Sequence, residues 1–463
     1  MVGALKLPSA ETAMKKTAGL VWWCLLLTAM CLTFHTVSAD HSAAVAHAGS
    51  PAGSAGAILP TLFGMHVHMR PMRPQPWPSA PIGSFRFADT VVGWDRMNPA
   101  EGRYDWRLFD REMAELKSHN IEDVLFTFHS TPTWASSGPY HRCAHGRLAD
   151  LPEGNSINSQ LGSCDPPNDL KPDGSGSDQH WIDFLSALAT HNKESRTARV
   201  KYWEVWNEPH NDFFWSGTDA QMVRMARDAY TTIKRIDPDA LILSPSPGTN
   251  PRLGMKWMDS YLAAGGGQYA DVIAFHGYLQ TTSAMDLVSR VANFRQMLAS
   301  HGQDTKPLWD TEASWGNAEN LGFNEEQQAA FLAQFYLLHW SIGIPRLYWF
   351  GWNDGNVGTL WIPDSENPSG PGTLTRAGRA YIEVYKWIVG ARLTRPCAEE
   401  GGIWTCELQT SDGHEGQVVW TAGGDKRYGP KPTLTRAHDL DGNVSSIAGN
   451  IRVHETPVLL EAQ

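Results

Sequence analysis

Lys201-Tyr-Trp-Glu-Val-Trp-Asn-Glu-Pro-His210 decides the fold of this chain. Aromatic and β-branched residues in a short run read as a strand. Asn207-Glu208-Pro209 ends it, so a carboxylic acid stands where the strand stops. A later run, Lys306-Pro-Leu-Trp-Asp-Thr-Glu312, also ends in a glutamate. Two carboxylates at matching ends of two parallel strands face one cavity. One can then protonate a leaving oxygen while the other attacks an anomeric carbon, which is what retaining glycoside hydrolysis requires.

Six further runs of the same kind surround these two. They are Leu62–His66, Ile82–Ala88, Asp123–Phe128, Ala240–Pro245, Asp271–His276 and Pro345–Trp352. Helical patterns separate most of them: Trp106–His119 (opened by Asp105 as N-cap), Ser177–Asn192, Thr218–Ile236, Ser283–Ser300, Asn324–Ile342 and Thr375–Val389. The stretch Met69–Pro81 is too rich in proline for a regular helix. Eight strands alternating with helices predict an α/β fold, a (β/α)8 barrel. After residue 390 short alternating runs replace helices, and Asp412-Gly413 and Asp441-Gly442 read as hairpin turns, so a small all-β domain follows the barrel.

The strand ends supply the candidate site. Glu208 and Glu312 are the catalytic candidates. Asn207, next to Glu208, can bind a sugar hydroxyl. His276 and Tyr278, in His276-Gly-Tyr278, end the sixth strand beside Glu312; Tyr278 can donate to that carboxylate. Arg86, in Phe85-Arg86-Phe87, is a cation inside a strand pattern and needs a partner such as Glu312. His129 ends the third strand. Trp352, from Tyr348-Trp-Phe-Gly-Trp352, is the candidate floor under the cleaved sugar.

Composition narrows the partners. The 463 residues carry a formal charge of −11, and residues 1–39 contribute +2, which leaves −13 on the remainder. That balance argues against a polyanionic partner such as nucleic acid. Lys15-Lys16, an apolar run from Ala18 to Phe34 and Val37-Ser38-Ala39 read as an export signal over 1–39, followed by an Ala/Gly/Ser/His-rich lead-in over 40–58. A secreted or periplasmic protein is expected, without stable membrane insertion once the signal is cleaved; an uncleaved anchor is the alternative. Cys143, Cys164, Cys397 and Cys406 then read as two disulfides, paired by proximity as Cys143–Cys164 and Cys397–Cys406. The first pair lies in the longest irregular stretch, 131–177, which leaves the catalytic face after the third strand and reads as an ordered flap. The expected domains are 59–390, the catalytic barrel, and 391–463, a sandwich-like β accessory domain. No cofactor or metal is expected, and the oligomeric state is left open.

The chain resembles a clan A glycoside hydrolase. It is most similar to family 39 in its broad sense, including the bacterial exopolysaccharide-hydrolase branch, over roughly residues 61–462. The motifs that carry the resemblance are Phe85-Arg86-Phe87, Trp94 through Gly102-Arg-Tyr-Asp-Trp106, Trp203-Glu-Val-Trp-Asn-Glu-Pro209, His276-Gly-Tyr278, Thr311-Glu312 and the terminal Thr456-Pro457-Val458-Leu459. The resemblance implies double displacement on an oligo- or polysaccharide, with Glu208 as acid/base and Glu312 as nucleophile. The long flap departs from the better-known xylosidase members, so the sugar does not carry over.

Two other readings compete. A non-catalytic glycan-binding barrel would keep the same cleft. A metal-dependent hydrolase of the amidohydrolase type would use His66-Val67-His68 as paired ligands, but it also wants a histidine on the fifth strand, and Leu241–Pro245 has none.

Overall fold

A computed structural model describes residues 56–68, 75–88, 92–143 and 160–462. The expected export signal, and the lead-in up to residue 55, lie outside these residues. Eight parallel strands form a ring: β1 (Phe63–Met65), β2 (Ser84–Phe87), β3 (Val124–Thr127), β4 (Tyr202–Glu204), β5 (Leu241–Leu243), β6 (Ile273–His276), β7 (Leu308–Ala313) and β8 (Leu347–Trp349). Each falls within the run predicted for it, save that β7 extends one residue past Glu312. β1 pairs with both β2 and β8. β5 and β6 meet through one parallel bridge, Leu243 to Val272, and Ser244 N donates to Val272 O at 3.0 Å, which closes the ring. The fold is the predicted barrel.

Among the described residues, seven helices of ten residues or more cover the ring: α1 (Arg107–Ser118), α2 (Gln179–Glu194), α3 (Asp219–Ile236), α4 (Gly254–Ala263), α5 (Asp286–Ser300), α6 (Glu325–Ser341) and α7 (Arg376–Ile388). Capping boxes start two of them, Thr218 with Gln221 and Asn324 with Gln327, and each satisfies two otherwise orphaned backbone donors. At α1 the cap position belongs to Trp106 rather than Asp105; Asp105 Oδ1 accepts from Arg107 N at 3.2 Å from one residue further back. Helix α4 was not expected. It is short and opens just after Pro251, and only Gly254, Met258, Tyr261 and Leu262 are buried. The described part of the first crossover, 75–83, holds no helix, as its prolines predict.

Helix α6 is buried on every side from Ala329 to Ser341. One face packs on the barrel and the other is covered by the C-terminal β-structure, where Glu455 O accepts from Gln334 Nε2 at 2.7 Å and Ser341 Oγ accepts from Cys397 N at 2.8 Å. A helix apolar all round has to be enclosed in this way. The C-terminal structure is a six-stranded sheet and a two-stranded one. Its first strand, Arg392–Glu400, had no readable alternation: it is a mostly exposed edge strand that carries Pro396 and breaks register twice against Ile403–Gln409. Both disulfides join the cysteines that proximity pairs, Cys143–Cys164 and Cys397–Cys406. No helix among the described residues is long and apolar enough to cross a membrane.

The barrel is plugged at its N-terminal end by one cation. Arg346 lies against the Trp309 and Tyr202 rings, 4.2 and 4.9 Å from their centroids, and donates to Asp123 Oδ2 at 2.6 Å. The chemistry-bearing side chains gather at the opposite rim, where the strands end.

Candidate active site

Arg86 organises that rim. It is fully buried, and its Nη1 donates to Glu312 Oε2 at 2.7 Å. Its Nη2 donates to Glu204 Oε1 at 2.5 Å and to Asn207 Oδ1 at 2.9 Å. A buried charge is tolerated only when paired, and two carboxylates surround this one. They hold the guanidinium pKa further up against the opposing effect of burial. Glu204 is fixed in turn by Thr127 Oγ1 at 3.1 Å and Ser246 Oγ at 2.8 Å. The sequence argument found the Arg86–Glu312 pair and missed Glu204. The signal was present, because Glu204 is also a charge inside a strand pattern.

Glu312 is held at both oxygens. Tyr278 Oη donates to Oε1 at 3.0 Å, opposite the Arg86 contact on Oε2. Glu208 stands across the rim. Its φ of +41° is left-handed, unusual for a residue with a side chain. That turn breaks strand alternation, so Asn207 reaches Arg86 while Glu208, its neighbour, lines the cleft. Burial pushes the Glu208 pKa up; His210 and Arg86 oppose the rise and Glu204 adds to it. His276 lies between the two glutamates, with Nδ1 2.9 Å from Glu208 Oε1 and 3.9 Å from Glu312 Oε2. Burial holds its imidazole below the ordinary pKa.

The cleft above these groups encloses about 630 Å³ and is bordered by the loops after β4, β5, β6 and β7. Glu208, His210, Tyr278, Glu312 and Trp315 line it. Trp352 does not: it is 1% exposed and stacks on Trp361, with ring planes 8° apart. His129 is buried too. Its Nδ1 lies 2.8 Å from Ser130 Oγ, and burial, then Arg86 and Arg96, push its pKa down to about 3. It makes no hydrogen bond to either glutamate. His66, considered above only as a metal ligand, instead joins the polar cluster. Its Nε2 is 3.2 Å from Thr311 O and 3.4 Å from Arg86 Nη1.

One trio at the rim has the donor types of a metal site. A ligand atom from each of Glu208, His276 and Glu312 lies within 4.8 Å of the others. Arg86 Nη1 already donates to Glu312 Oε2, which occupies one of the trio's oxygens. A second group, His141, Cys143, Cys164 and Asp165, has its two sulfurs joined to each other and offers no thiolate.

The flap braces the loop that carries Glu208. Cys164 O accepts from Ser216 N at 2.9 Å, and Asp165 Oδ1 accepts from Ser216 Oγ. Trp215 N donates to Asn211 O at 3.0 Å, and Asn211 N to Glu208 O at 3.0 Å. The flap disulfide is thus connected to Glu208 by a short ladder of hydrogen bonds. Residues 144–159, its outer part, lie outside the described residues.

Comparison with known proteins agrees with this architecture. Residues 174–381 match the model of the glycosyl hydrolase catalytic core, and residues 84–139 match a model described as beta-galactosidase. No curated protein sequence matches the chain. Among solved structures, a family 39 glycoside hydrolase from Bacteroides cellulosilyticus WH2 superimposes with a TM-score of 0.61 at 17% identity, covering 88% of this chain and 82% of that one. A glucosidase from Croceicoccus marinus gives 0.58 at 15% identity, covering 90% and 98%. A family 39 β-xylosidase from Caulobacter crescentus gives 0.54 at 14% identity, covering 89% and 98%. The chain shares the fold of these glycoside hydrolases, a barrel followed by a β-domain, and the similarity to family 39 read from its motifs extends to that fold.

Proposed function

We propose that the protein is a retaining glycosidase acting on an oligo- or polysaccharide. Glu312 is the nucleophile: one oxygen attacks the anomeric carbon as the glycosidic bond breaks, and a glycosyl ester forms. Glu208 gives its proton to the departing oxygen. It then takes a proton from water, which attacks the anomeric carbon, breaks its bond to Glu312 and leaves the sugar with its original anomeric configuration. Asn207, His276, Tyr278 and Arg86 hold these two groups or the sugar.

One observation carries this reading. One carboxylate oxygen of Glu208 and one of Glu312 lie within 4.8 Å of each other. That supports the short spacing of retaining enzymes, about 5–5.5 Å between carboxyl groups, over the roughly 6.5–9.5 Å that leaves room for an attacking water. The raised pKa of Glu208 suits a group that must start as an acid. The two disulfides and the basic, apolar, small-residue order of residues 15–39 support export. We take 59–390 as the catalytic unit and 391–463 as its accessory domain.

The test is a panel of nitrophenyl glycosides and neutral polysaccharides given to the wild type, Glu208→Ala and Glu312→Ala. Turnover by the wild type that both variants lose on unactivated substrates is the expected result. Turnover that survives in either variant on such substrates would contradict the assignment.

A further inference from the structure

The cleft carries a pattern that the two glutamates do not explain. Asn211, Asn250 and Asn317 all line it. Each has its carboxamide oxygen tied to its own loop: Oδ1 of Asn211 accepts from Phe213 N at 3.1 Å, Oδ1 of Asn250 from Arg252 N at 2.9 Å, and Oδ1 of Asn317 from Asn320 N at 2.9 Å. Fixing the oxygen fixes the amide plane and leaves the two N–H donors of each Nδ2 free for a ligand. Gln280 adds another carboxamide, on a backbone with a φ of +57°. Such a conformation costs energy in a non-glycine residue and concentrates at binding sites.

His210 completes the group beside Glu208. Burial keeps its imidazole pKa below the ordinary value, and its Nδ1 is buried without a partner. Its Nε2 borders Gly248, where an added Cβ would come within 3.4 Å of it.

The charges around this array are one-sided. Glu208 and Glu312 are the charged side chains lining the cleft among the described residues, apart from any charge on His210. Arg86 is already engaged by Glu204 and Glu312, Arg290 is turned to Thr249 O at 3.0 Å, and neither they nor Arg252 lines the cleft. Uncharged hydroxyls can accept from the amide donors at no Coulombic cost. A uronate or sulfate there would meet the carboxylate of Glu312 while the glycosidic bond breaks, and that of Glu208 while an acceptor attacks the ester.

Position selects the part of the substrate. The oxygen that Glu208 protonates joins the transferred sugar to its leaving group, so the leaving sugar lies against the residues that flank Glu208. We propose that His210, Asn211 and Asn250 form the site for the leaving-group sugar, and that this sugar is uncharged. The proposal rests on the retaining reading above. By microscopic reversibility an acceptor that intercepts the glycosyl ester occupies the same site.

The experiment uses the full chain and the nitrophenyl glycoside it turns over fastest. Methyl glucoside, methyl mannoside, methyl xyloside and methyl glucuronide are added separately at one concentration. Nitrophenolate release measures total turnover, and mass spectrometry measures the transfer product. The neutral acceptors should yield product, and the glucuronide about tenfold less. Asn250→Asp keeps Oδ1 for Arg252 N and replaces the donor with a carboxylate oxygen; His210→Ala removes the ring. Each should lower the ratio of transfer to hydrolysis about tenfold, the order expected for one lost hydrogen bond. A general folding defect would lower both and leave the ratio in place. Equal or better transfer to the glucuronide, an unmoved ratio in both variants, or no transfer by the wild type to any neutral acceptor would overturn the proposal. No nitrophenolate release from any glycoside would instead overturn the glycosidase reading beneath it.

Discussion

His276 donates to Glu208. Its Nδ1 lies 2.9 Å from Glu208 Oε1, and an ionised carboxylate can only accept, so Nδ1–H points to Oε1 and Nε2, 3.3 Å from Arg86 Nη2, holds the lone pair. When Glu208 is protonated, Oε1 is therefore the accepting oxygen and the proton sits on Oε2, free for the leaving group. The same donor favours the ionised form of Glu208, against the burial that raises its pKa.

His276→Ala should thus raise the Glu208 pKa further and release its orientation. The alkaline limb of the pH–rate profile, set by loss of the acid proton, should move to higher pH. Turnover of substrates with poor leaving groups should fall by about tenfold or more. A scaled-down profile with unmoved limbs would leave His276 a packing role only.

Arg86→Met should destabilise the fold as well as abolish activity. It would leave Glu204 and Glu312 facing each other, buried and without their common cation. Removing one member of a buried ion cluster costs about 3–5 kcal/mol. Denaturant unfolding reads the loss, and a variant as stable as the wild type would contradict the pairing described here.

How far these groups could be read from sequence depends on whether chain order or space brings them together. Glu208, Glu312, Arg86 and Tyr278 each end or interrupt a strand pattern, and a charge or hydroxyl in that place needs a reason. The eight strands were legible for the same cause, since a buried parallel strand is a short apolar run. Trp352 was not legible as a packed ring, because an aromatic at a strand end reads alike whether it faces a sugar or Trp361. The strand Arg392–Glu400 lacked alternation because it lies on a sheet edge. The tie from Ser216 to Cys164 and Asp165 joins two loops far apart in the chain, and no local pattern encodes it.

That tie predicts what the flap disulfide does. In the Cys143→Ser/Cys164→Ser double variant the loop bearing Glu208 loses its brace. Turnover of poor leaving groups should drop about tenfold, more than that of activated aryl glycosides, while Tm changes modestly. Equal loss on both substrate classes would make the disulfide a stability element alone.

Glu112 offers a test remote from the chemistry. It is buried in α1, neither carboxyl oxygen has a hydrogen-bond partner, and burial raises its pKa to about 8. The folded state then holds a proton that the unfolded chain has lost, so this group's contribution to stability is present below the ordinary carboxyl pKa and is lost as pH rises towards about 8. Glu112→Met should raise Tm relative to the wild type near pH 8, and the gap should close near pH 4. A pH-independent difference would place the effect in packing rather than titration.

The central claim is double displacement with Glu312 as nucleophile and Glu208 as acid/base. Glu208→Ala should still form the glycosyl ester from an activated aryl glycoside but should stall, since no base remains to activate water. Azide needs no base and fits the space the carboxylate leaves. The decisive measurement is the anomeric configuration, by proton NMR, of the glycosyl azide formed when azide restores turnover to Glu208→Ala. The account predicts an azide with the configuration of the starting glycoside. A glycosyl azide of inverted configuration would mean a single displacement and would contradict it.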